Sequence, residues 1–559
     1  MVRRIVHMLG GEIRGLHEAA YLLGFFALFS QLLALVRDRL LAGTFGAGNT
    51  LDIYYASFRI PDIIFVSVAS LVSVYILIPF FVEKEKEGGD ASRIFISSLF
   101  SVFTGMMLVV SGVVFLLVPW LSRLLFPGLV DSPLFPELIM LTRLLLLQPF
   151  FLGLSNLFGS VTQTRGRFLL YASGPLLYNL GIIGGILFLH PLFGIMGLAG
   201  GVVVGAALHL LIQIPFIFSE GLFPRIIMRP YWNDIRRVVV LSLPRTLALS
   251  ANQLALVVLL GFASVLAVGS ITIFNLAFNL QSVPLSIIGV SYSVAAFPTL
   301  ARLFTTGERA LFFEQMVSSI RHIIFWSLPA VVLFVVLRAQ IVRVILGVGA
   351  FDWTETRLVA AALALFVISL VAQSLSLLFV RGYYATGNTR IPLIINLLGA
   401  IGIVVFSIAL LKLFTLMPTF RFFMEALLRV EGIEGTAVLM LPFGYSLALF
   451  LNALAFWFLF QRNFSSLWAA VSQTILHSFG SAIVMGFSAH FFLSIFDNIF
   501  DINTFMGIFL QGLLSGLLGI IVGITLLFLL RNKEIREISN TVHHKFWKSK
   551  VVAPEQESI

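Results

Sequence analysis

Residues 21–62 read YLLGFFALFSQLLALVRDRLLAGTFGAGNTLDIYYASFRIPD. The apolar run from Tyr21 to Val36 has the character of a membrane-crossing helix, because about 20 apolar residues span the hydrocarbon core. It leads directly into Arg37-Asp38-Arg39. After the turn-forming Gly46-Ala47-Gly48-Asn49, a second apolar run carries Asp52, Arg59 and Asp62. A charge deep in a bilayer costs at least roughly 2.5–3.5 kcal/mol on insertion scales, so such groups face a partner or a wet cavity. These two runs therefore read as membrane helices that carry a polar site.

The same apolar character extends along all 559 residues, of which 59% are hydrophobic and 11% charged. Soluble domains hold about 45–50% apolar and roughly 25% charged residues, so a soluble fold is excluded and no room remains for a sizeable soluble domain. The absence of cysteine removes disulfides, thiolate metal sites and cysteine nucleophiles. No P-loop, HExxH or paired-acid motif occurs, so no enzyme, catalytic residue, metal site or cofactor is expected. The net charge of +10 is read as topogenic, with no nucleic-acid partner. The first apolar run lacks a small-x-small cleavage site and is read as the first helix, not a signal peptide.

Working outward, helices are expected near 19–42, 52–81, 94–121, 137–162, 168–190 and 194–218. A second set follows near 238–265, 270–301, 316–346, 356–381, 391–414 and 436–461, with a further pair near 467–495 and 505–530. This predicts an all-α polytopic membrane protein of about 14 transmembrane helices, in two six-helix lobes with two C-terminal helices added. The expected organisation is a tail at 1–18 able to lie on the membrane surface, an N-lobe at 19–218 and an inter-lobe loop at 219–237. A C-lobe at 238–461, the last pair at 462–530 and a basic tail at 531–559 complete it. Lys and Arg gather on the tails and on alternate loops such as 84–93, 165–167 and 225–237, which places both termini in the cytoplasm.

The lobes read as copies. Ser30-Gln31-Leu32 is echoed by Asn252-Gln253-Leu254, and Pro79 by Pro298. Leu157-Phe158 with Thr164 and Arg167 is answered by Leu378-Phe379 with Thr386 and Arg390. Repeated bundles of one orientation are a recurrent plan for carriers that rock two halves about a site between them. Gln31, Asn252 and Gln253 are the polar residues expected at that cavity.

The ionisable candidates are Arg37, Asp38, Arg39, Asp52, Arg59, Asp62, Arg143 and Arg245. Arg59 and Asp62 are three apart and within reach of each other. Asp52 begins its helix, where a carboxylate either caps the helix or serves the site. Arg37 and Arg39 either line a cavity or snorkel to headgroups. Arg245 adjoins Pro244, which suits a broken, cavity-lining segment. Any carboxylate coupling transport to an ion is confined to Asp38, Asp52 and Asp62.

Arg37-Asp38, Phe45-Gly46-Ala47-Gly48 and Asp52 through Arg59-Ile60-Pro61 resemble the opening of the MurJ/MviN family of lipid II flippases. Further matches, in order, are Gly205 to Gln213-Ile214-Pro215, Pro244-Arg245-Thr246 with Asn252-Gln253, and Gly289-Val290 with Phe297-Pro298. Leu337-Arg338 through Gly349-Ala350-Phe351-Asp352 and Gly382-Tyr383-Tyr384-Ala385-Thr386 with Thr389-Arg390 complete the series. The resemblance covers about residues 19–530. It implies the fold of the multidrug/oligosaccharidyl-lipid/polysaccharide exporter superfamily, with two lobes about a central cavity and a lipid-tail groove made by the last two helices.

The activity implied is movement of an undecaprenyl-pyrophosphate-linked peptidoglycan precursor from the inner to the outer leaflet of the bacterial cytoplasmic membrane, in cell-wall synthesis. Arg37, Arg59, Arg245 and Asn279 are then the substrate-binding residues, and Asp38, Asp52 and Asp62 orient them or sense a coupling proton or sodium ion. Membrane potential is a further source of drive, and cell-wall synthesis proteins are possible partners. The chain departs from the family where Arg residues and a Glu-Gly-Ala segment usually stand, here Phe65-Val66 and Ser70-Leu71-Val72. It departs again where a cavity Arg and a Glu three residues later are replaced by Asn279 and Ser282. Export of another polyprenyl-linked glycan or an amphipathic solute, and a transport-dead membrane scaffold, are the alternatives that these departures leave open.

Overall fold

In hydrocarbon a backbone amide finds no water, so each apolar run must satisfy its own N–H and C=O groups, and the helix does this within one segment. The computed structural model describes residues 16–69, 74–88, 90–464 and 466–537. Ser70, most of the 1–18 tail and most of the basic tail lie outside them.

The expected first crossing is one helix, α1 (Leu16–Phe45). The expected second crossing is divided into α2 (Asn49–Ser57), α3 (Arg59–Ser67) and α4 (Val74–Glu87). The first break falls at Phe58, four residues before Asp62, where Pro61 has no N–H to give the Ser57 carbonyl. There follow α5 (Ala91–Leu125), α6 (Phe135–Leu145), α7 (Leu147–Thr164), α8 (Phe168–Gly184), continued by a π turn, and α9 (Ile195–Leu211). Next come α10 (Trp232–Ser264), α11 (Ser270–Pro284), α12 (Ser291–Thr305), α13 (Arg309–Val336) and α14 (Arg338–Leu346). The chain continues through α15 (Trp353–Ile368), α16 (Leu370–Ala385), α17 (Arg390–Leu416), α18 (Pro418–Leu428), α19 (Met440–Asn463), α20 (Trp468–Phe496) and α21 (Phe505–Leu529).

Among the described residues eleven helical segments are long and apolar enough to cross a membrane, or twelve when α15 and α16, bent by 43°, count as one. The all-helical membrane fold is therefore present, whereas the number fourteen is not confirmed. The short helix α18 was not expected from the sequence.

The helices form two compact units. The first runs to Val283 and includes Ile345–Phe366 and Asn388–Asn452. In it Phe81, Phe95, Leu99, Phe103, Leu157 and Phe158 form a continuous apolar core. Here α8 and α9 meet through glycine: a Cβ on Gly201 would lie 2.4 Å from Gly185 Cα, and one on Gly205 would lie 2.5 Å from the Tyr178 carbonyl oxygen. Small residues allow this approach, which is how membrane helices gain packing where lipid supplies no hydrophobic drive. On one face Arg165 pairs with Glu85 and Glu220, Lys84 with Glu87 and Asp234, and Arg237 with Glu83. Several of the cations read as topogenic are thus neutralised in pairs.

The second unit comprises Pro284–Val344, Val367–Gly387 and the chain from Ala453. There α20 packs against α13 and α21, and Phe379, Phe456, Phe460 and Tyr383 stack as one aromatic cluster. Beyond α21 the chain docks back. Glu534, 1% exposed, accepts hydrogen bonds from Arg321 Nε at 2.6 Å and Thr474 Oγ1 at 2.7 Å. Burial opposes ionisation of Glu534, but the bonds from Thr474 and Arg321 outweigh it and hold the carboxyl below its ordinary value.

Two consequences follow for stability. Gly201→Ala is expected to lower the melting temperature in detergent, by about 1–3 kcal/mol of overpacking. Gly184→Ala, whose Cβ meets nothing within 4 Å, is expected to be neutral or slightly stabilising. Because Glu534 titrates below 4.5 in the folded chain, its contribution is fully present at neutral pH and fades as the pH falls through that lowered value. Glu534→Gln should therefore lower the melting temperature at pH 7 and lose its effect in strong acid.

Candidate functional site

The site is built in the first unit on α1, α2, α3, α8 and α11. Adjacent helix residues point about 100° apart, so Arg37 and Asp38 meet only because the long arginine side chain reaches around α1. Arg37 Nη2 and Nε donate to Asp38 Oδ1 at 2.8 and 2.9 Å. Arg37 Nη1 donates to Asn179 Oδ1 on α8 at 3.2 Å. Asn179 is itself oriented by donating to Ser30 Oγ and to the Pro175 carbonyl. Asp38, 2% exposed, accepts from Asn279 Nδ2 on α11 at 3.0 Å through its other oxygen. One turn along α11, Ser282 Oγ accepts from Gln31 at 3.4 Å and donates to the Asn279 carbonyl.

Arg59 lies at the start of α3. It donates through Nη2 to Asn275 Oδ1 on α11 and lies 3.7 Å from Asp62 Oδ2. Asn275, Asn279 and Ser282 stand at helical spacing, so one stripe of α11 serves Arg59 directly and Arg37 by way of Asp38. The Nε of Arg59 is buried, with no acceptor among the described residues.

Asp52 has different work. Its Oδ1 accepts from Thr272 N at 2.8 Å and Thr272 Oγ1 at 2.7 Å, and its Oδ2 accepts from Gly269 N at 2.7 Å. The carboxylate thus sits on the opening turn of α11, a helix some 220 positions away, where amide donors and the helix dipole favour an anion. Beside it Gly269, at φ +88°, turns where a Cβ would strike the Ala47 carbonyl at 2.2 Å, and Ala47 N donates to Glu355.

The remaining sequence candidates lie elsewhere. Arg39 donates to the Ile345 carbonyl at 3.2 Å. Arg143 donates to the Phe115 carbonyl at 3.1 Å and lies over that ring. Arg245 and Gln253 are half-buried and Asn252 is exposed on α10, which packs against α3. Sequence reasoning missed Asn179, Asn275 and Thr272. It also missed a cavity of about 220 Å³ lined by Phe65, Leu152, Asn156, Pro175, Tyr178 and His209. Phe65, one departure from the family pattern, thus lines a cavity wall, while Asn279 and Ser282 are neutral partners within the cluster.

Many apolar spans with paired charges set inside the first unit define, by fold and site, a membrane carrier. Two solved structures share this fold. One, titled as lipid II flippase MurJ in an inward closed conformation, has a TM-score of 0.73 at 21% identity and covers 92% of this chain and 99% of its own. The other, an inward-facing multidrug resistance MATE family transporter of the MOP superfamily, has a TM-score of 0.63 at 14% identity over 78% and 95%.

The family profile described as lipid II flippase MurJ matches residues 41–418. The lipid II flippase MurJ of Burkholderia cenocepacia is 27% identical over 68% of this chain and 74% of its own. The probable lipid II flippase MurJ of Thermotoga maritima is 29% identical over 68% and 76%. The chain belongs to the lipid II flippase MurJ family.

Asp52 gives this geometry a direct check. Asp52→Asn keeps the shape but loses the charge, and is expected to cost about 1–3 kcal/mol. In a double-mutant cycle with Thr272→Val, followed by thermal unfolding, the two losses should be clearly less than additive. Additive losses would separate the two residues.

Proposed function

We propose that the protein is a lipid II flippase, moving an undecaprenyl-pyrophosphate-linked peptidoglycan precursor from the inner to the outer leaflet of the bacterial cytoplasmic membrane by alternating access. Membership of the MurJ family supports this cargo. The observation that carries the site assignment is the pair of guanidinium groups set beside α11, Arg59 bonded to it through Asn275 and Arg37 tied to it through Asp38, with a buried donor to spare on Arg59. A pyrophosphate entering hydrocarbon needs charge-assisted hydrogen bonds, and arginine supplies them in planar, bidentate form.

In this reading Arg37 and Arg59 grip the headgroup, with Asn279 adding a contact, and Arg245, on the neighbouring α10, meets the cargo outside this cluster. Asp38 and Asp62 hold the guanidinium groups in place between cargoes. Asp52 fastens the start of α11. Residues 19–218 and 238–461 act as the two rocking lobes, and 462–530 supply the groove for the polyprenyl tail, which stays in lipid. Both termini face the cytoplasm, in keeping with the distribution of Lys and Arg. Drive comes from a proton, a sodium ion or the membrane potential.

Native mass spectrometry of the purified protein with lipid II, undecaprenyl phosphate and bulk anionic lipid tests the cargo. Selective lipid II binding is expected, weakened about tenfold or more in Arg37→Ala and Arg59→Ala, in line with a lost charged hydrogen bond. Arg37→Lys should also lose flipping in vesicles, because a point charge does not replace a bidentate fork. Equal binding of every anionic lipid, unchanged by these substitutions, would overturn the cargo and its site together.

A further inference from the structure

The cavity beside Tyr178 contains one group with no part in the site described so far. His209, on α9, lies over Gly174, where a Cβ would stand 2.6 Å from its Nε2. Its Nδ1 is 2.6 Å from Ser155 Oγ on α7. That hydroxyl has a second acceptor, the His209 carbonyl at 3.1 Å, and receives Gln213 Nε2 at 2.6 Å. Gln213 is anchored in turn by Thr162 Oγ1.

This wiring suits the imidazole in either charge state. When Nδ1 is bare, the Ser155 hydroxyl donates to it. When Nδ1 carries a proton, it donates to Ser155 Oγ, and the hydroxyl proton turns to the His209 carbonyl. Nε2 has no partner among the described residues, and His209 forms part of the cavity wall.

Two helices of the cavity wall, α8 and α3, also carry residues of the arginine cluster. Pro175, Tyr178 and Asn179 share one face of α8, and Asn179 holds Arg37. Phe65 lies one turn after Asp62 on α3.

The ionisable groups on the elements packed against α9 are Tyr171 and Tyr178 on α8, Glu137 and Arg143 on α6, Asp52, Tyr54 and Tyr55 on α2, and His190 after the π turn. The helix α7 carries none. Of all these, Tyr178 alone shares the cavity wall, so among the described residues lining it the imidazole is the one group able to take up a proton.

We infer that His209 is a proton-linked cation of the headgroup site, binding a proton together with a phosphate or pyrophosphate anion that enters the cavity. The inference rests on the proposed function, because it assigns a further contact to the same cargo. A buried cation is costly without a counter-anion, so proton and anion enter as a pair. Neither covalent chemistry nor a further reactant is needed.

The test measures binding of lipid II, undecaprenyl phosphate and inorganic pyrophosphate to the full chain between about pH 5.5 and pH 8, the window in which an imidazole titrates. Wild-type protein should bind lipid II up to about tenfold more tightly at the acid end, the factor that one unit of linked titration supplies. His209→Asn, which keeps a partner for Ser155, should bind with most of that pH dependence removed. His209→Lys should bind with affinity that is nearly flat in pH, and unfolding temperatures of both variants check the fold.

Tightening by inorganic pyrophosphate as well assigns the effect to the phosphate alone, and tightening only by the lipids assigns it to a lipid headgroup. An unchanged pH slope in His209→Asn, with binding still lost in Arg37→Ala, overturns this inference and leaves the proposed function standing. Absence of lipid II binding at every pH overturns both.

Discussion

A guanidinium group in hydrocarbon must be paired, and the pairing of Arg37 with Asp38 determines what surrounds it. The two residues belong to one helix, so their ion pair alone ties nothing together. The tie comes from the valences left over: Arg37 reaches α8 through Asn179, and Asp38 reaches α11 through Asn279. Helix α1 is thereby joined on two sides by bonds to ionised groups, the stronger kind in a medium of low dielectric. Removal of either charge leaves the other buried and unpaired, the condition under which a buried ion pair becomes strongly destabilising.

The same economy governs α11. Its first turn is held by the Asp52 carboxylate, and its middle presents Asn275 to Arg59 and Asn279 to Asp38. One helix is therefore referenced to α1, α2 and α3 at successive turns. Neutral amides at the middle positions allow this helix to approach two ion pairs without adding a charge of its own. An arginine at position 279 would stand next to Arg37 and compete with it for Asp38. The departure from the family pattern at this position is thus matched by its surroundings.

Much of this was legible in the sequence, because a charge inside an apolar run is costly and so carries information. Arg37, Asp38, Arg59 and Asp62 stand out for that reason, and the structure bonds Asp38 and Arg59 to α11, each with its charged partner beside it. Asn179 and Asn275 do not stand out, since a neutral amide in a membrane helix is cheap and its partner lies 142 or 216 positions away. Asp52 shows the limit from the other side. Its place at a helix start suggested a cap on its own helix, but the helix it caps is a distant one, and only tertiary contact identifies it. The second crossing was read as continuous because hydropathy does not register a break at Phe58, and α18 was missed because its eleven residues are too few to register as a span.

Charge balance relates the site to direction. Asp38 and Asp62 match Arg37 and Arg59 one for one, so these four groups together carry no net charge. On the proposed function, an arriving pyrophosphate competes with the carboxylates for the same donors, and its binding is an exchange of anions around fixed guanidinium groups. The protein's own cluster then moves through the membrane field at little cost, while the bound headgroup brings net negative charge. With the proposed orientation, an inside-negative potential drives that charge outward, by about 2.3 kcal/mol per elementary charge per 100 mV. On that reading a balanced site leaves the field to act mainly on the cargo, in the direction that the proposed flipping requires.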